Sequence, residues 1–175
     1  MTLDRFKTQR PGPALEAGLE PTATRQEFLA FVLSNEKYAL PLVQVREILK
    51  PPPITEVPRA AAEVVGIISV RGRITTIIDL HRRLRIDSTP VDKRTRILLV
   101  DNGDEVIGCI VDQVVQVYRL SADEMEMAVV VGADVADYVM GIGRPQSNRG
   151  KAARSAGGDE GDILVLLDPV ALLKR

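Results

Sequence analysis

The sequence predicts an all-β protein built as two small barrels. Three observations lead there: an aliphatic core composition, short apolar runs separated by tight polar turns, and an internal echo between the two halves. Of 175 residues, 45% are apolar but only 3% are aromatic, with no Trp, so the core is left to Val, Ile and Leu. These are residues that favour strands. The length suits one compact domain, or two small subdomains sharing a core.

The elements follow in order. Residues 1–24 carry Pro11, Pro13 and Pro21, two glycines and scattered charge, with no sustained apolar period, and read as a flexible tail before a folded region over 25–175. Phe28–Leu33 and Tyr38–Leu42 flank Ser34-Asn35-Glu36, a strand pair around a polar turn. Val43, Val45 and Ile48 continue the apolar spacing up to Pro51–Pro53, which no central strand tolerates. Ala60–Val64 is expected to form a helical turn after Pro58. Gly66–Val70, the turn Arg71-Gly72-Arg73 and Ile74–Leu80 again read strand, turn, strand, and His81–Leu84 reads as a brief helix.

Ile97–Val100 and Val106–Val111 flank Asp101-Asn102-Gly103-Asp104, where Asn-Gly predicts a type I′ turn. Val114, Val115 and Val117 make a further strand. Ser121-Ala122-Asp123-Glu124 has the N-cap serine and acidic first turn of a short helix. Tyr138–Ile142 and Ile163–Leu167 are the last strands, and Pro169–Leu173 is a closing helix with Pro in its first turn. Between those strands, 145–162 is rich in Gly, Ser, Arg and Lys and reads as a flexible surface loop insertion.

The echo links the halves at an offset of about 70 residues. The Asn35 hairpin followed by Val43 and Val45 matches the Asn102 hairpin followed by Val114 and Val115. Gly66-Ile67, Arg71, Ile77-Ile78-Asp79 and Leu84 match Gly141-Ile142, Arg144, Leu166-Leu167-Asp168 and Leu172. A twice-repeated set of short strands points to two barrels, because closure removes exposed edges.

Composition excludes several classes of function. With 23 basic and 24 acidic residues the net charge is −1, which gives no footprint for duplex DNA or an anionic membrane. Scarce aromatics argue against a barrel that stacks single-stranded bases. The basic cluster Arg144, Arg149, Lys151 and Arg154 reads as a solvated surface, and a phosphate grip is its alternative. No apolar run spans a bilayer and no secretory h-region opens the chain, so a cytoplasmic protein is expected.

Catalytic chemistry is equally thin. Cys109 lies in an apolar run and reads as a buried, inert thiol. His81 is the only histidine and reads as a surface or helix-start residue; one His and one Cys supply no zinc set. Gly141-Ile142-Gly143 lacks the rest of a nucleotide loop, and the pairs Asp123-Glu124 and Asp159-Glu160 read as capping or solvating charge. No catalytic, cofactor or metal residue is assigned. Recognition surface remains, with Arg71 beside Gly72 in a rigid turn and Glu47 in Val45-Arg46-Glu47-Ile48. On the residues alone, Arg71 reads equally as a surface arginine or a recognition group.

Taken in order, Phe28–Phe31 with Tyr38–Leu40, Val45-Arg46-Glu47-Ile48, Ile54–Pro58, Gly66–Gly72, Ile77–Leu80, Val106–Asp112 and Gly141-Ile142-Gly143 resemble a CheW-like domain from about Arg25 to the end. The resemblance implies two interleaved SH3-like five-stranded barrels around a shared apolar core. It also implies a non-enzymatic adaptor, which couples the cytoplasmic hairpin tips of chemoreceptors (methyl-accepting chemotaxis proteins) to the regulatory domain of a CheA-type histidine kinase. A narrower partner set, the kinase or other CheW-like adaptors only, is the alternative. Location follows as cytoplasmic, recruited to the inner face of the membrane through receptor arrays. Partner-binding positions carry over onto Val45, Glu47, Gly66, Arg71 and Gly72. An apolar groove between the barrels near Val45 and Gly66 would receive the receptor. Departures are Ser69-Val70 before Arg71, where the family has Asn-Leu, and Arg96 at a commonly apolar strand position.

Overall fold

A computed structural model describes residues 24–127, 136–146 and 162–174. Most of the expected tail and the interior of the expected 145–162 loop, with Arg149, Lys151 and Arg154, lie outside the described residues. The first hairpin is β1 (Gln26–Leu33) and β2 (Glu36–Pro41), followed by β3 (Val45–Leu49), β4 (Val64–Val70), β5 (Arg73–Asp79) and helix α1 (Leu80–Leu84). The second half runs β6 (Arg96–Asp101), β7 (Val106–Val111), β8 (Gln113–Leu120), β9 (Met125–Met127), β10 (Val139–Gly143), β11 (Leu164–Leu167) and α2 (Pro169–Leu172).

The strands form two sheets, in the orders β8-β1-β2-β11-β10-β9 and β3-β6-β7-β5-β4. The expected count of five holds for the second sheet. The first has six, because three-residue β9 pairs with β10. The interleaving follows the echo. β3 leaves β2 and pairs antiparallel with β6 in the other sheet, while β8 leaves β7 and pairs with β1. Each half thus gives its third strand to the sheet built around the other half's hairpin. Two further pairings between the halves, β2 with β11 and β5 with β7, are parallel.

The long apolar runs have a physical reason in this arrangement, since central strands are buried on both faces. Phe28 and Ala30 of β1 face a cluster with Leu120, Leu164 and Leu166, inside the first sheet's curl. Leu29, Phe31 and Leu33 face the other way, into a shared core with Leu98, Val100, Ile107, Cys109 and Leu172. Ile97 and Leu99 of β6 return to a third cluster with Ile68 and Ile77. Each fully buried Leu, Ile or Phe contributes roughly 1.5–3 kcal/mol, so the shared core is what joins the two halves.

Turn chemistry sets the hairpins. Ser34 and Asn35, at φ 48° and 73°, form the two-residue mirror turn that suits strand twist. The Asn102-Gly103 hairpin forms without a type I′ turn, because only Gly103 has positive φ. Asn102 instead closes a four-residue loop, its side-chain oxygen accepting from the amides of Asp104 and Glu105. Ala60–Val64 is not helical; Arg59 at φ 60° breaks the direction after Pro58, and β4 begins at Val64. Both helices are capped alike, by Asp79 accepting from the His81 amide and Asp168 accepting from the Val170 amide. Ser121 opens a single 3-10 turn, Ala122–Glu124, where the Glu124 carboxylate accepts from the Ser121 amide.

Candidate functional site

The two edge strands of the second sheet are β3 and β4; Val45 and Glu47 lie on the first, Gly66 on the second, and Arg71 and Gly72 in the turn that follows it. Val70 pairs with Arg73, so Arg71 and Gly72 alone make the turn between β4 and β5. Their φ values, 49° and 79°, define another mirror turn. A left-handed arginine costs about 1 kcal/mol, a strain found where a side chain must be presented in one direction. The arginine side chain is 80% exposed. Its Nη2 lies 3.1 Å from Oε1 of Glu47, an ion pair that links the turn to β3.

Glu47 is aimed there by an irregularity in β3. The register slips between Val45, opposite Val100, and Glu47, opposite Leu99. A bulge of this kind re-aims side chains at a sheet edge. Arg46, the extra residue, pairs with Asp101 at 2.6 Å and holds that carboxyl below the usual range. Val45 is half-buried and packs on the shared core. Gly66 is buried, and its role is steric: a Cβ there would lie 2.3 Å from the Thr55 carbonyl oxygen. That contact carries the Thr55–Ile67 bridge, which holds the segment after Pro53 against β4. Arg71 and Gly72 are thus exposed with Glu47 half-buried beside the arginine, whereas Val45 packs on the shared core and Gly66 against the Thr55 segment.

A groove is expected near Val45 and Gly66; two clefts lie in this part of the molecule, and neither residue lines either of them. The first, about 840 Å³, is lined by Phe28, Pro41, Leu42 and Val43 with Arg25 and Arg119 among its polar walls. Val43 is 82% exposed, an aliphatic side chain left in water two residues before Val45. The second, about 470 Å³, is lined by Val57, Ala61, Val64, Ile67 and the closing residues Leu172 and Leu173. Arg83 fixes its C-terminal wall, donating to the carbonyls of Leu172 and Lys174, pairing with Glu63 at 3.0 Å and lying 5.1 Å over the Tyr138 ring.

The remaining chemistry-bearing residues sit elsewhere. Cys109 is wholly buried, and burial pushes its thiol up to about 12. His81 is at a helix start as expected but is buried rather than on the surface, against Asp79 and Asp112. The Asp79 contact follows from the cap spacing, whereas Asp112 lies 31 positions away and no local signal points to it. Arg96 is accommodated by folding back onto the carbonyls of Lys93 and Thr95. Lys37 and Tyr118 both bind Asp162, whose carboxyl is held below the usual range, chiefly by the Lys37 hydrogen bond. Among the described residues, no His, Cys, Asp and Glu side chains group to hold a metal ion, and no helix is long and apolar enough to cross a membrane.

Comparison with known proteins places this architecture. The family model for the CheW-like domain matches residues 27–175. A chemotaxis protein CheW of Klebsiella aerogenes is 30% identical over 133 residues, 75% of this chain and 80% of that protein. One from Helicobacter pylori is 27% identical over 118 residues, 67% of this chain and 72% of that protein. The crystal structure of the scaffolding protein TtCheW from Thermoanaerobacter tengcongensis superimposes with a TM-score of 0.73 at 25% identity, covering 86% of this chain and 94% of that one. With the interleaved sheets, the shared core and the ordered motifs all in agreement, the chain belongs to the CheW-like family.

Proposed function

We propose that this protein is a non-enzymatic adaptor that couples chemoreceptors to a CheA-type histidine kinase in a chemosensory array. The observation that carries the reading is the turn between β4 and β5. A strained, exposed arginine is presented there on a rigid turn and held in place by Glu47. Such a group sets the register of a protein contact through charge-assisted bonds to a carboxylate or carbonyl. Family membership supports the adaptor class, and the burial of Cys109 and His81 keeps both out of any open catalytic cleft.

The division of surfaces follows from chemistry. The cleft of Phe28, Leu42 and Val43 is apolar at its base with arginines at its margin, which suits the apolar face of a receptor's cytoplasmic helical hairpin. The Arg71 turn, with Glu47 and Gly72, is assigned to the kinase regulatory domain; Val45 and Gly66 support strands β3 and β4 beside it. Each contact is small, so assembly rests on linked weak interactions at the inner face of the membrane, where receptors recruit the cytoplasmic adaptor.

The test is a pull-down with a CheA-type kinase and a receptor cytoplasmic fragment at concentrations of tens of micromolar, roughly the range of weak transient contacts. Capture of both supports coupling. Capture of the kinase alone, or of another CheW-like adaptor alone, replaces it with a narrower scaffold, and capture of neither refutes the adaptor reading.

A further inference from the structure

The first cleft draws Arg25, Glu27 and Phe28 from around the start of β1, and Leu42 and Val43 from the chain after β2. It measures about 840 Å³, and the Val43 side chain stands 82% exposed beside it. An aliphatic group left so open to water marks a surface that gains by being covered. The charged groups of the walls are Arg25, Arg119 and Glu27, a net +1. Arg119 and Glu27 pair with each other at 2.7 Å.

The chain enters the fold at this same place. Thr24 is the first described residue, so residues 1–23 are joined to the wall of the cleft through Arg25. That segment carries an occupant of matching chemistry. Leu15 and Leu19 stand four positions apart, as do Glu16 and Glu20, the spacing of adjacent stripes on a helical turn. Residues 11–21 hold these two glutamates and no basic residue, a charge of −2 to set against the +1 of the cleft. The basic residues of the segment come earlier, at Arg5, Lys7 and Arg10. Reach is sufficient, because the six steps from Arg25 back to Leu19 span up to about 20 Å of extended chain.

We propose that residues 13–21 are an intramolecular occupant of the first cleft. Leu15 and Leu19 cover Phe28, Leu42 and Val43, and the glutamates turn toward Arg25 and Arg119. The contact is autoinhibitory, since the filled cleft is closed to the apolar face of a receptor helix; that consequence rests on the adaptor reading. Tethering makes a weak contact sufficient. At an effective concentration on the order of 1 mM for a short tether, a contact of about 0.3 mM fills the cleft roughly three-quarters of the time. Receptor binding is then weakened about fourfold.

Cys109 is the only cysteine and is wholly buried, so Ala17→Cys gives the full chain one accessible thiol for a nitroxide label. Methyl NMR of that labelled chain is expected to show Val43 signals broadened well beyond those of the same labelled chain carrying Leu15→Ser and Leu19→Ser. The serine variant keeps the tether and its charge and lacks only the apolar pair. Without the label, Leu15→Ser/Leu19→Ser is expected to capture a receptor fragment about fourfold more tightly than wild type. Equal Val43 broadening with and without the leucines overturns the proposal. Equal broadening in a mixture where the label and the observed methyls sit on different chains overturns it too, by assigning the occupant to a second copy. Broadening that depends on the leucines, with receptor capture unchanged, supports the contact and removes the receptor from this cleft, so the two readings fail separately.

Discussion

Gly66→Ala is the most informative single perturbation of the fold near the site. The new methyl would stand 2.3 Å from the Thr55 carbonyl oxygen, 2.7 Å from Cγ2 of Ile54 and 2.9 Å from the Thr55 carbonyl carbon. Two of these atoms are backbone, so a rotamer change cannot relieve the contact and the segment after Pro53 must move outward. Overpacking of this kind costs about 1–3 kcal/mol. The displacement also strains the paired hydrogen bonds Thr55 N to Ile67 O, 3.0 Å, and Ile67 N to Thr55 O, 2.8 Å. At about 1 kcal/mol each, their loss brings the expected destabilisation to roughly 3–5 kcal/mol. For a chain of this size that lowers Tm by roughly 6–20 °C, measured by circular dichroism. A Tm within about 2 °C of wild type would refute the close approach. Normal stability with lost partner capture would make Gly66 a contact residue rather than a support.

Other predictions are independent of that one. Asp162 has its pKa held down by Lys37 and Tyr118, so its contribution is present above the ordinary carboxyl range and lost as pH falls through the lowered value. Asp162→Asn is therefore expected to be less stable than wild type at neutral pH, with the gap in urea midpoint closing below pH ~4; an equal gap at both pH values contradicts this. Cys109, with its thiol pushed up to about 12 and no exposed surface, is expected to resist a disulfide reagent until the protein unfolds. Rapid labelling of the native protein would refute its burial. Val43→Asp leaves Tm unchanged, because the side chain is exposed, and weakens capture of a receptor fragment by about tenfold or more, by placing charge in an apolar cleft. Unchanged capture would move the receptor surface elsewhere.

Local features were readable in the sequence because their causes are local. Asn35 and Gly72 mark turns, and Ser121 and Pro169 mark the starts of helical turns, through effects reaching only a few residues. The echo announced a duplicated architecture, but strand partners depend on chain crossings that no local pattern encodes. Nothing near β3 says that it pairs with β6, or near β8 that it pairs with β1. β9 was not foreseen because Met125–Met127 is too short for a period and is not buried. The Asn102-Gly103 turn differs because the asparagine oxygen competes with the mirror turn by capturing two amides. At the site, Arg71 was legible as a turn residue, but its pairing with Glu47 on β3 is tertiary. His81 illustrates the same limit, since Asp112, one of the carboxylates it is buried against, lies on another strand connection.

The central claim is tested most directly by reconstituting receptor fragment, kinase and adaptor with wild type, Arg71→Glu, and the exchanged pair Arg71→Glu/Glu47→Arg. An exposed ion pair contributes at most about 1 kcal/mol to folding, so all three proteins are expected to keep wild-type circular dichroism. Kinase co-sedimentation with receptor is expected to fall about tenfold or more in Arg71→Glu and to stay low in the exchanged pair, because the partner meets the arginine itself. Recovery in the exchanged pair would show that the turn needs only its ion pair, and undiminished assembly in Arg71→Glu would contradict the account outright.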